Sequence, residues 1–415
     1  MSGGGAGLMS GGGESMMSGT PGGRGTSGFR GCSIMPAVRA TRRPRSGHCA
    51  TDEPALAGRA AAAARLAELM LAPLFHAWER YLASISKDRK VRPFEWGLEW
   101  LSPNGEGVSH PEEQVQRWVA HVMSDTHGFF HAPPTREYDF DPAPAGSHRE
   151  EAGTVRFPSA FVTPHPDNNT VHARWFPSGP PGRPGRAVVV LPQWNSDRSG
   201  HIGLSRLLAR CGVSALRLSL PYHDDRMPPE LTRADYIVSS NIARTVQVCR
   251  QAVLDSKRAI DWLVLQGYER IGILGTSLGS CLAMLTTAHE PRIRAQALNH
   301  VSPWFADVVW RGLSTRHVRE GLDGHLELKT LRNLWRPISP CSYLDQVRHA
   351  RTLLVYARFD LTFPVDLSRT LVQEFHDRQL PHEVSVLPCG HYSTGMAPFK
   401  FLDGYVLTQF LRRNL

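Results

Sequence analysis

Gly275-Thr276-Ser277-Leu278-Gly279 is the one Gly-x-Ser-x-Gly run in the chain. It follows the apolar residues Ile271-Gly272-Ile273-Leu274 directly and opens the helical stretch Leu278 to Leu285. A strand, a sharp turn and a helix in that order put a serine at a strained corner with its hydroxyl exposed, and side chains at Gly275 and Gly279 would collide with neighbouring backbone. A serine hydroxyl is a weak nucleophile until a base takes its proton and a carboxylate holds that base in the right tautomer. Around such a turn the acid and then the histidine are expected later in the chain, each just beyond a strand. Asp360 ends the run Thr352 to Phe359, and His391 follows Val384 to Gly390, so Ser277, Asp360 and His391 stand in the required order. Asp307 and Asp345 are the alternative acids if the carboxylate follows an earlier strand. The chemistry this allows is attack of the Ser277 oxygen on a carbonyl carbon.

The tetrahedral intermediate of such an attack carries an oxyanion that needs two backbone donors. Leu278, the residue after the serine, is expected to supply one. The loop Pro192-Gln193-Trp194-Asn195 beyond the apolar run Ala187 to Leu191 is expected to supply the other, from Trp194 or from Gln193, with Trp194 equally suited to be a pocket wall. Tyr222-His223-Asp224-Asp225-Arg226 lies beyond a strand, on the side of a sheet where ligands bind. His223 or Arg226 is therefore a candidate for substrate contact, against a structural role for the whole loop. Three adjacent residues such as His223-Asp224-Asp225 seldom converge on one ion, so no metal is expected, and no cofactor. Between Val301 and Arg351 an insertion opens with Trp304, Phe305 and Trp310, which are expected to face the substrate under a helical lid; the alternative is an ordinary amphipathic helix on the core.

Stepwise along the chain, residues 1 to 55 are Gly/Ser/Arg/Pro-rich and too poor in large apolar groups to order, so they read as a disordered tail, with Met35 and Met70 as alternative starts. Residues 56 to 150 read as a helical, aromatic-rich extension that covers the following domain. From 151 to 415, short β-rich runs alternate with helical stretches, and the lid insertion occupies about 302 to 350. Strands are expected at Thr154 to Val162, Val171 to Phe176, Ala187 to Leu191, Val213 to Leu220, Arg270 to Leu274, Ala295 to Val301, Thr352 to Tyr356 and Glu383 to Leu387. A long helix is expected between Asn241 and Gly267. This alternation specifies an α/β fold with a mostly parallel central sheet wrapped by helices.

The formal net charge of +9 comes from 47 basic and 38 acidic residues, but the first fifty residues hold six arginines and one acid. The remainder carries +4, and with only five lysines in the chain the arginine excess gives no basis for a nucleic-acid partner. Seven cysteines without C-x-x-C spacing read as reduced thiols in the cytoplasm. No run of about 18 apolar residues is present to span a bilayer. Ala60 to Phe75 is the closest, broken by Arg65, Glu68 and Pro73; it reads as a packed helix, with peripheral membrane contact as the alternative.

Ser277, Asp360 and His391 in this order resemble the α/β-hydrolase superfamily over about residues 150 to 415. More narrowly, Leu191-Pro192-Gln193-Trp194-Asn195, Leu220 to Pro228, Gly275 to Gly279 and Arg92-Pro93-Phe94-Glu95-Trp96-Gly97 resemble a bacterial branch similar to the eukaryotic abhydrolase domain-containing protein 18. The resemblance implies a metal-independent serine hydrolase acting on carboxylic esters, with lipid acyl esters as the substrate class. Pro192-Gln193 departs from the His-Gly usual at that loop. An acyltransferase or thioesterase would use the same triad, and a non-catalytic binding protein on this fold would be expected to lack one of its members.

Overall fold

The computed structural model describes residues 70–85, 88–101, 110–179 and 185–415. The chain divides into two units, Met1–Gly58 and Arg59–Leu415, and the described residues belong to the second. The tail expected over 1 to 55 lies outside them. Helix α1 runs over residues 70–85, followed by α2 (Pro111–Ser124) and the single turn α3 (Thr126–Phe129). Strands β1 (Asp139–Pro142), β2 (Gly153–Pro158), β3 (Thr170–Phe176) and β4 (Arg186–Leu191) come next. After them the chain alternates: α4 (Ile202–Arg210), β5 (Val213–Leu218), α5 (Ile242–Leu265), β6 (Arg270–Thr276), α6 (Leu278–Ala288) and β7 (Ile293–Asn299). The insertion holds α7 (Phe305–Arg311), α8 (Arg316–Leu322) and α9 (Leu328–Leu334), and β8 (Arg351–Ala357), α10 (Val365–Asp377), β9 (His382–Leu387) and α11 (Phe399–Asn414) close the chain.

Among the described residues the nine strands form one sheet in the order β1-β2-β3-β5-β4-β6-β7-β8-β9. The first three strands pair antiparallel, β3 meets β5 antiparallel, and every pairing from β5 to β9 is parallel. β4 lies between β5 and β6, which is why its run Ala-Val-Val-Val-Leu is apolar at every position rather than at alternate ones. Ala187, Val189 and Leu191 point into the core under α5, α6 and the insertion, while Val188 and Val190 point to the opposite face, under α4 and α11. Helix α6 carries the sequence after Ser277 and is buried at all its positions, Leu278 to Ala288.

Two expectations shift. The extension before residue 150 ends in β1, which the helical reading missed; its residues Asp-Phe-Asp-Pro are exposed, so no apolar alternation marks them. β2 stops at Pro158, short of Val162, because Ser159 turns inward to donate its hydroxyl hydrogen to Asp255 at 2.6 Å. α5 stops at Leu265 with Gly267 at φ 86°, the left-handed exit expected of a glycine there. Five described cysteines, Cys211, Cys249, Cys281, Cys341 and Cys389, are free thiols. No described helix is long and apolar enough to cross a membrane.

The insertion is clamped to the two helices beneath it. Trp335, fully buried, donates its indole N–H to Ile242 O at the start of α5 (3.2 Å) and meets Phe305 edge to face at 5.5 Å. The Cys281 thiol of α6 reaches Ile338 O at 3.3 Å. Replacing Trp335 with alanine removes a large buried side chain and its hydrogen bond, and we expect a loss of about 3–5 kcal/mol in urea unfolding. A loss below about 1 kcal/mol would show that the insertion is not coupled to the core.

Candidate active site

The corner after β6 has the geometry its sequence specifies. Ser277 adopts φ 56° and ψ −119°, a conformation that L-residues hold only when their surroundings impose it. Its N–H is fixed by Asn299 O at the end of β7 (2.8 Å). A Cβ at Gly275 would strike the Gly279 carbonyl, and one at Gly279 would strike the carbonyls of Leu191 and Pro192. The second of these contacts presses the start of α6 against the loop that leaves β4.

Three loops at the carboxyl ends of parallel strands bring Ser277, His391 and Asp360 together. The Ser277 hydroxyl lies 3.1 Å from His391 Nε2, and His391 Nδ1 donates to Asp360 Oδ2 at 2.9 Å. The His391 ring lies parallel to Phe363 at 5.4 Å, which fixes its plane. Asp360 is buried, and its Oδ1 accepts from the amides of Thr362 (2.8 Å) and Phe363 (2.7 Å). Neither alternative acid is near: Asp307 pairs with Arg332, and Asp345 pairs with Arg378 on the surface.

A second histidine, which the sequence reading did not single out, shares the same carboxylate. His300 Nδ1 donates to Asp360 Oδ2 at 2.8 Å, and its ring centroid is 4.3 Å from that of His391. It is buried directly after β7 at φ 60°, with its N–H on Val355 O and its carbonyl accepting from Ser280 Oγ. Its place at the carboxyl end of a strand was the one available signal.

Burial alone would raise the Asp360 carboxyl, but the charge of His391 and the hydrogen bonds from His300 and His391 hold it well below the ordinary carboxylate range. For His391, burial opposes the imidazolium, yet Asp360, by charge and hydrogen bond, and then Glu79 outweigh it and leave the ring above its ordinary value. His300 moves the other way, through burial first and the neighbouring His391 second.

In the loop beyond β4, the Asn195 N–H is taken by His223 Nε2 at 2.9 Å and the Ser196 N–H by Gln193 O at 3.2 Å. Of the four amides from Gln193 to Ser196, these bonds take up those of Asn195 and Ser196. The Trp194 ring is held between His317, parallel at 5.7 Å, and Arg233, whose guanidinium lies 5.4 Å from the ring centre, and its N–H donates to Ala234 O.

Three expected substrate contacts are corrected. His223 is buried, with Nδ1 donating to Pro221 O and Nε2 accepting from Asn195, and burial lowers its pKa to about 4. It fastens the loop beyond β4 rather than facing a ligand. Arg226 is likewise buried, on Asn168 O, Ser219 O and Asp255. Phe305 is core against Trp335, while Trp304 and Trp310 of the insertion are half-buried and Trp310 lies under Arg319. The insertion does reach the site: Leu313 donates its N–H to Leu361 O, and Ser314 Oγ lies 2.7 Å from Thr362 Oγ1, both in the Asp360 loop. His223-Asp224-Asp225 diverge, since Asp224 pairs with Arg217 and Asp225 with Arg198.

No family model matches the sequence, and no curated protein does. Solved structures match its fold. The chain is similar to an acetyl xylan esterase from Paenibacillus sp. R4, with TM-score 0.55 and 15% identity over 73% of this chain and 99% of that one. Acetyl xylan esterase 1 from Thermoanaerobacterium sp. JW/SL YS485 gives 0.50 and 14% over 80% and 97%. The acylaminoacyl peptidase of Pyrococcus horikoshii gives 0.52 and 16% over 66% of this chain, which spans only 42% of that protein's length. Topology and neighbours agree that the chain has the α/β-hydrolase fold.

Proposed function

We propose that the protein is a serine hydrolase that cleaves carboxylic esters through an acyl-enzyme. The observation that carries this reading is the continuous line from Ser277 Oγ through His391 Nε2 and Nδ1 to Asp360 Oδ2. Ser277 Oγ bonds to the carbonyl carbon as its proton passes to His391 Nε2. Asp360 holds the ring with hydrogen on Nδ1 and stabilises the imidazolium that forms. The amide of Leu278 and that of Trp194 or Gln193 receive the oxyanion. Collapse of the intermediate breaks the ester C–O bond, and the imidazolium returns its proton to the departing alkoxide. Water then attacks the acyl-enzyme by the same path in reverse, releasing the acid and restoring Ser277.

Lipid acyl esters are the substrate class we favour, in keeping with the resemblance of the Pro192-Gln193-Trp194 and Arg92-Pro93-Phe94-Glu95-Trp96 runs to the abhydrolase 18-like branch. Large apolar side chains support it: Met70, Leu71 and Leu74 on α1 and Phe401 and Tyr405 on α11 are exposed. We assign Trp304 and Trp310, half-buried in the insertion, to the rim of an acyl pocket. We read residues 56 to 150 as an extension of the catalytic domain rather than a separate module.

A fluorophosphonate probe is expected to label the parent protein and not Ser277→Ala, and turnover of p-nitrophenyl esters should fall at least roughly 10³-fold in that variant. Equal labelling of both proteins would refute the assignment. Across an acyl-length series the rate should rise from acetyl to longer chains, and a strong acetyl preference would remove the lipid class. His300 divides the Asp360 charge with His391, so His300→Leu should make His391 more basic. Because the base must be neutral to act, the acid limb of kcat/KM then moves to higher pH, and His300→Asn, which keeps an N–H donor, should move it less. An unmoved limb in His300→Leu would show that the second histidine does not act on the base.

A further inference from the structure

The loop that presents His391 is held by a carboxylate from the far end of the chain. Glu79 projects from α1 and is fully buried. Its Oε2 accepts from the Tyr392 amide at 2.8 Å, and its Oε1 accepts from the Ser393 amide at 2.9 Å and the Ser393 hydroxyl at 2.7 Å. That hydroxyl in turn accepts from the Gly390 amide at 2.8 Å. The amides on both sides of His391 are therefore tied to one side chain, directly or through one hydroxyl. Gly390 is glycine for this reason, since a Cβ there would occupy the space of the Glu79 carboxyl group. The rest of α1 seals the contact: Phe75 stacks on Phe359, next to Asp360, at 4.5 Å, and beyond the helix Arg89 donates to Tyr392 OH at 2.8 Å.

We propose that Glu79 is a positioning residue for His391, and that α1 is a working part of the active site. A buried carboxylate is tolerated when donors saturate it, and here three do. It brings a second negative charge to the imidazole beside that of Asp360. The groups facing His391 are Asp360 beyond β8, His300 beyond β7, Glu79 from α1 and the Ser277 hydroxyl, with Phe363 and Tyr392 as neutral ring neighbours. Of these only Asp360 and Glu79 favour the imidazolium by charge. The inference rests on the serine hydrolase reading for its kinetic form, since the charge that assists His391 is felt when the ring holds the proton of Ser277.

The test is Glu79→Gln in the full-length chain, which retains one acceptor oxygen and removes the charge. The kcat for a p-nitrophenyl ester is expected to fall at least about tenfold with KM within about twofold. Loss of a favourable charge lowers the pKa of His391, so the acid limb of kcat/KM should move to lower pH by about half a unit. A folded Glu79→Gln protein with kcat and limb unchanged overturns the proposal, and so does a fall in kcat with the limb unmoved, because the charge of Glu79 then does not reach the ring. If Glu79→Gln does not fold, Ser393→Ala decides: it keeps the charge but breaks the bridge to Gly390, and kcat should fall about threefold or more with KM within about twofold and the limb in place. Turnover within twofold of the parent overturns it. Titration of the His391 ring by NMR separates this from failure of the hydrolase reading: a lower pKa in Glu79→Gln supports the proposal even in a protein that turns over no ester.

Discussion

Asp360, itself buried, accepts four hydrogen bonds, and the ends of three parallel strands converge on it. Two of the donors are amides of its own loop, Thr362 and Phe363. The other two are imidazoles, His300 just beyond β7 and His391 beyond β9, and both reach the same oxygen. A carboxylate this deep is ionised only while those donors stay in place. The turn at Phe363 and the ring of His391 are thus bound to one another through a single charge. Ser277 joins the arrangement from the other side, through Asn299 O, the residue before His300.

Placing two donors on one oxygen has a chemical consequence. A carboxylate that serves one imidazole directs its charge to that ring; one that serves two divides it. His300 is therefore a brace for Asp360. Glu79 adds a second negative charge near the ring while gripping the loop at either side of it. His391 stands above its ordinary value because Asp360, by charge and hydrogen bond, and then Glu79 outweigh its burial.

The sheet and the order Ser277, Asp360, His391 were legible because each depends on neighbours in sequence. The apolar run before Gly275, the glycines of the turn and the strands before Asp360 and Gly390 are all local signals. β1 was not legible, since an exposed Asp-Phe-Asp-Pro edge has no buried face to impose a pattern. His223 and Phe305 were misread for a related reason. A histidine in a loop at the carboxyl end of a sheet and an aromatic in an insertion look alike whether they meet a substrate or protein, and only the packing shows that both meet protein. Glu79 left no signal at all: an acid in an amphipathic helix ordinarily faces water, and its partners lie more than three hundred residues away.

That distance bears on what counts as the domain. Ser277, His300, Asp360 and His391 all lie at the ends of the parallel strands, so by composition the extension looks dispensable. Its removal would leave the amides of Tyr392 and Ser393 and the hydroxyl that secures Gly390 without their acceptor, in a segment where Ser393 is fully buried. Unmet buried donors cost about 1–3 kcal/mol each, and a loop that rearranged to find water would carry His391 with it. Positioning a base within hydrogen-bond reach of its nucleophile requires its supporting loop to have one arrangement. In this chain that arrangement is specified by a residue that precedes β1, so α1 belongs with the parallel strands as part of one working unit.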